Sequence, residues 1–152
     1  MLILHSLLRW ILLLLMGLVI VRSYMGSKQQ KPFTKQDNLF GLLMMIAADL
    51  QLLLGLGLYF MTDFMKSVHA AMSENMGAVM KNATMRFFAI EHITAMIIAI
   101  ALIHVGRILS KKAATDEAKH KKLFIWTLIA LILILVSIPW PFREMGRPLL
   151  PF

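Results

Sequence analysis

Residues 87–104 read "FFAIEHITAMIIAIALIH", from Phe87 to His104. A run this apolar approaches the roughly 20 residues that a helix needs to cross a bilayer. Yet it carries Glu91 and His92 side by side and ends on a second histidine. An ionised side chain facing lipid at mid-membrane costs roughly 2.5–3.5 kcal/mol or more, so such residues mark a site or a buried partner. How this stretch is read decides the fold class and frames the function.

Outward from it, three further apolar stretches have the same character. The four predicted spans cover about 2–21, 39–61, 84–105 and 123–140. All should be helices, because an open strand would leave backbone polar groups unpaired in lipid. Pro139 and Pro141 end the fourth, and Trp140 and Phe142 suit the interface. The chain is 59% hydrophobic, with a mean hydropathy of +0.75, whereas soluble domains hold about 45–50% apolar residues. The expected class is all-α: a polytopic membrane protein, one domain over 1–152, built as a bundle of four transmembrane helices. The N-terminus has no basic stretch before its apolar run and no small-residue cleavage site after it, so the first span is expected to stay in the protein. The absence of cysteine excludes disulfides, thiolate metal sites and covalent haem attachment.

The formal net charge of +8 reads as topology, not as affinity for nucleic acid. Arg22, Lys28, Lys31 and Lys35 fall in the loop 22–38, and Arg107, Lys111, Lys112, Lys119, Lys121 and Lys122 in the loop 106–122. The positive-inside rule makes these loops cytoplasmic and puts both termini outside, in a bacterial inner membrane. The bilayer is then the first partner, with anionic headgroups available to the basic loops. His120 sits in the lysine run and reads as solvated. In the second loop, Phe64, Val68, Met72, Met76 and Met80 recur every fourth residue. They predict a short amphipathic helix lying on the outer surface. Asn82 and Thr84 are candidate caps for the span that follows.

At 1.5 Å per residue, Arg9, Glu91 and His92 lie roughly 10–12 Å inside the outer surface and Asp49 about 15 Å from either side. The cost of facing lipid should drive these four into one buried polar cluster. Ala95 and Ala99 follow His92 on its face, where small side chains admit a close helix or a flat macrocycle. Asp49 and Gln51 point to opposite sides, and Gln51 should bond across a helix contact.

Five pieces spread along the chain carry a likeness: "LHSLLRW" (4–10), "KPFTKQDN" (31–38), "RFFAIEHI" (86–93), "KHKKLFIW" (119–126) and "SIPWPF" (137–142). With them the chain resembles the small four-helix bacterial membrane proteins labelled cytochrome b-like. The resemblance implies non-covalent haem b and electron transfer, with His5 and His92 as the motif histidines and His104 outside the motifs.

The residues themselves allow one haem between spans one and three, with His5 and His92 on the iron and Arg9 or Arg86 near the propionates. A second haem would lack ligands. The alternatives are a cofactor-free accessory or assembly subunit held by the Arg9, Asp49, Glu91 and His92 cluster; a proton or ion carrier using Asp49, Glu91 and His92; and outer-face copper handling by Met61, Met65, Met72, Met76, Met80 and His69. A membrane-protein partner or homo-oligomer is compatible with each. No nucleophile and base are suitably spaced, so no enzyme is expected.

Overall fold

The structure, a computed structural model, describes residues 1–149; the last part of the expected 1–152 domain, 150–152, lies outside the described residues. Four helical stretches are long and apolar enough to cross a membrane. Helix α1 is Leu2–Lys28, α2 is Lys35–Met61, α3 is Asp63–Lys81 and α4 is Ala83–Arg86. A π-helical turn, Phe87–Glu91, leads into α5, His92–Lys112, and α6 is Asp116–Ser137.

The helices overrun the apolar runs that announced them. Of the loops read as 22–38 and 106–122, only 29–34 and 113–115 are outside helices. Polar residues do not end a helix; lost backbone geometry does. Gln30 takes the left-handed conformation, with φ 49°, and the Lys31 amide bonds back to the Gly26 carbonyl. This is a Schellman ending, and Pro32 follows it. Helix α2 restarts from a capping box: Thr34 Oγ1 accepts from the Asp37 amide, and the Thr34 amide donates to Asp37 Oδ2. Asp37 also holds Arg22 at 2.8 Å, tying the end of α1 to the start of α2. Thr115 caps α6 by accepting from the Ala118 amide.

Helix α1 packs on α2 and α6, and α5 packs on the same two, so the four long helices close a ring. Leu12, Met16, Met44, Ala48, Ile103 and Ala130 fill its centre. Ala99 is fully buried there, so it serves close helix approach and not the open space expected beside His92. Helix α3 covers one end of the ring over a second cluster, in which Met65, Val68, Val79 and Ala89 are buried.

The predicted four-residue stripe on α3 is only half used. Val68 is fully buried, but Met76 and Met80 are exposed. A repeat of four drifts against the 3.6-residue turn, and Asn75 breaks the helix with φ −150°, its Oδ1 capping the amide of Ala78. Asn82 caps α4 by accepting from the Met85 amide, so Thr84 is inside the helix and not its cap. His120 departs most from its reading. It is 1% exposed, tilted against Phe33 at 4.9 Å between ring centres and set against Gly26. Gly26 leaves the space that the ring occupies, and that pulls His120 in from its lysine-rich surroundings.

Gly106 allows the tightest contact between α5 and α6, since a Cβ there would overlap Trp126 next to its backbone. Gly106→Ala should therefore lower stability by about 1–3 kcal/mol, the usual range for overpacking. Gly17→Ala, with nothing within 4 Å of the added atom, should leave it unchanged or slightly raised. Thermal unfolding in detergent measures both.

Candidate functional site

The site begins with two prolines. In an α-helix each carbonyl accepts from the amide four residues on. Pro139 and Pro141 have no amide hydrogen, so the carbonyls of Leu135 and Ser137 lose their normal donors. Side chains replace them. Trp140 Nε1 donates to the Leu135 carbonyl at 2.8 Å, and Arg143 donates to that of Val136 at 2.8 Å. His92 Nδ1 lies 2.8 Å from the carbonyl of Ser137. A carbonyl can only accept, so Nδ1 carries the proton. The lone pair of this neutral imidazole is then on Nε2, the arrangement of a histidine prepared to bind a metal.

The π turn aims this ring. The amide of His92 bonds to the carbonyl of Phe87, five residues back. In a regular α-helix residues 86 and 91 would point about 140° apart, but a π turn stacks residues five apart. Arg86 Nε accordingly meets Glu91 Oε1 at 2.6 Å. Glu91 is drawn to the outside, and His92 faces inward. Tyr59 on α2 ties down the turn by donating to the carbonyl of Ala89 at 3.1 Å.

Inside the ring, at the end that carries the N-terminus, is a cavity of about 270 Å³. It is close to the lower end of the size range of small-molecule sites, roughly 300–1,000 Å³. His5 and His92 both line it, from α1 and α5. His5 is fixed by Gln51, whose Nε2 donates to the His5 carbonyl at 2.9 Å, and by Gly55, which leaves 3.3 Å between an added Cβ and the imidazole. The expected cross-helix bond of Gln51 is thus made to the very residue that bears the ring. The Nδ1 atom of His5 is buried without a hydrogen-bond partner.

Arg9 and Arg147 also line the cavity, and among the described residues no Asp or Glu does. Arg9 Nη2 donates to the Leu149 carbonyl at 2.8 Å, and the Arg147 guanidinium lies 4.6 Å from the Phe88 ring. Neither forms an ion pair among the described residues. The remaining wall is mostly apolar, with Leu12, Met96, Ile100 and Ile134 deepest in the ring. Met96 and Ile100, four and eight residues past His92, take the places that the sequence had suggested for Ala95 and Ala99.

The expected single cluster of Arg9, Asp49, Glu91 and His92 is therefore not formed. Arg9 and His92 share the cavity, Glu91 turns to Arg86, and Asp49 Oδ1 lies 2.7 Å from His104 Nε2 on another face. The depth estimates were similar for all four, but depth does not specify azimuth, and the π turn shifts the azimuth of Glu91. Arg86 is occupied by Glu91 and by the carbonyl of Met80, and it is absent from the cavity wall. Arg147, from the tail, stands where Arg86 was expected. Only the folding back of the tail past Pro139 and Pro141 brings it there, and hydropathy carries no sign of that. The methionines weighed for copper do not converge: Met65 is buried, Met61, Met76 and Met80 are exposed, and the His69 ring lies tilted against Tyr59 at 4.7 Å.

Among the described residues no three or more of His, Asp and Glu are grouped to hold a bare metal ion. Two histidines facing one cavity are too few donors for an isolated ion, but they suit a macrocycle that brings four nitrogens of its own.

If the π turn pairs Arg86 with Glu91 as described, Arg86→Leu should lower the melting temperature by exposing an uncompensated carboxylate near the membrane. Adding Glu91→Leu should recover most of that loss, and a double variant no better than the single would remove the pairing. No family model matches the chain, and neither a curated protein nor a solved structure does.

Proposed function

We propose that the chain crosses a bacterial inner membrane four times as a helical bundle, with both termini and the amphipathic α3 on the outer side, and that it holds one b-type haem for electron transfer. The observation that carries this reading is His92. Its Nδ1 proton is committed to the Ser137 carbonyl, which leaves the ring's lone pair on Nε2; the ring lines the cavity, and His5 lines it too with a buried nitrogen that has no partner among the described residues.

The residues fit the group. His5 and His92, from two helices of the bundle, would hold the haem iron. Arg9 and Arg147 would hold the propionates, since both are cationic, both are at the cavity wall and neither is paired with an acid among the described residues. When bound, the haem iron would supply one-electron redox chemistry. The protein's part is to fix the ligand tautomer through Ser137, to balance anionic charge with two guanidinium groups, and to keep water from the site with Leu12, Met96 and Ile100. The same pairing of cations with an apolar chamber disfavours a cation carrier, because no Asp or Glu among the described residues lines the cavity.

Protein expressed with haem supplied and purified in mild detergent should show a Soret band that shifts on dithionite reduction, with one haem per chain. His5→Ala and His92→Ala should each remove it, whereas His104→Ala should retain it. Arg9→Leu combined with Arg147→Leu should weaken haem affinity at least tenfold. A colourless preparation under these conditions refutes the proposal.

A further inference from the structure

Asp49 and His104 form the one polar feature on an otherwise greasy outer face. Their Oδ1 and Nε2 atoms are 2.7 Å apart, and the side chains are 41% and 39% exposed. Asp49 is near the midpoint of α2 (Lys35–Met61), and the surface around the pair is apolar: Ile46, Leu50 and Leu53 on α2, Ile97, Val105 and Ile108 on α5. Ala101, one turn from His104, is exposed as well. If the four helices cross a bilayer, this places a half-uncovered carboxylate and imidazole at mid-membrane depth, where lipid offers neither hydrogen bonds nor counter-charge. The contact between them uses one atom of each. Asp49 Oδ2 and His104 Nδ1 make no hydrogen bond among the described residues.

We infer that the α2–α5 face is the interface of a homodimer, in which two Asp49–His104 pairs meet across a two-fold axis along the membrane normal. The pair is a dipole with its negative end on α2 and its positive end on α5. A two-fold rotation lays α2 of one copy against α5 of the other at the same depth. Each Asp49 then faces the second copy's His104; with both ring nitrogens protonated, Nδ1–H of one copy donates to Asp49 Oδ2 of the other, so both unused atoms gain a partner and the face is complementary to itself. A different protein would have to carry a matching dipole at this depth, whereas a second copy supplies it by symmetry. Polar side chains and small residues are what hold membrane helices together, since apolar contact alone is no better than contact with lipid. Ala101 provides the small residue next to the axis. The inference needs the bilayer-spanning helices and is independent of whether haem binds.

The chain has no cysteine among its 152 residues, so single introduced thiols report contacts without background. In liposomes at high dilution, Ala101→Cys should form a disulfide-linked dimer on mild oxidation. Leu14→Cys, on the lipid-facing side of α1 and 74% exposed, should not. Subunit counting by single-molecule photobleaching should find two copies of the natural chain and one of the Asp49→Leu/His104→Leu variant, with that variant's melting profile showing a folded monomer. The exchanged variant Asp49→His/His104→Asp keeps the self-complementary dipole and should restore the dimer. Monomeric natural protein, equal cross-linking at 14 and 101, or a Leu/Leu variant as dimeric as the natural chain overturns the inference. A pair serving only as a proton relay would leave the subunit count unchanged in every variant.

Discussion

An acceptor left without a donor in the membrane must find a replacement, since no water reaches it. That constraint acts on the last turn of α6, where two prolines withhold amide hydrogens from Leu135 and Ser137. The indole of Trp140, the guanidinium of Arg143 and the imidazole of His92 fill in along three successive carbonyls. The third of these bonds matters most for function. It joins α5 to α6, sets the tautomer of His92, and leaves the ring's lone pair on Nε2. If Ser137 had a backbone donor, His92 would have no fixed proton position and the cavity no oriented ligand.

The π turn solves a second problem, the placing of an acid next to a base on one helix. Glu91 and His92 are neighbours and diverge by about 100° in any helical backbone. By wrapping residues 86 and 91 onto one side, the extra residue in the turn gives the carboxylate its own cation and keeps it from the imidazole. His92 then lines a chamber whose other charged residues, among those described, are Arg9 and Arg147, both positive. On the proposed reading, keeping Glu91 out of this chamber suits an anionic guest.

Much of the fold was legible in the sequence, because lipid imposes strong rules. Hydropathy located the four long helices, proline ended the last of them, and the capping residue Asn82 shows up as a polar residue ahead of an apolar run. The site was legible in part: His5, His92 and Arg9 line one cavity, and Gln51 makes the cross-helix bond its position suggested. What could not be read was azimuth and the geometry of the tail up to Leu149. A π turn has no compositional mark in "RFFAIEHI", so Glu91 and Asp49 were expected in a cluster they do not join. Arg147 reaches the cavity only because the chain reverses after Pro141. His120 was hidden by its lysine neighbours, although Gly26, some ninety positions earlier, is what admits it. One side chain at a helix crossing can thus outweigh the character of a whole segment.

The closure of the ring by α1 against α6 bears on how such a chain is made. The wall bearing His5 leaves the ribosome before the Ser137 carbonyl and Arg147. Until α6 is made, α1 has only α2 beside it. The chamber therefore closes only after α6 and the turn beyond it have emerged, so whatever occupies it enters after that point, and its occupancy can be controlled by supply separately from translation of this segment.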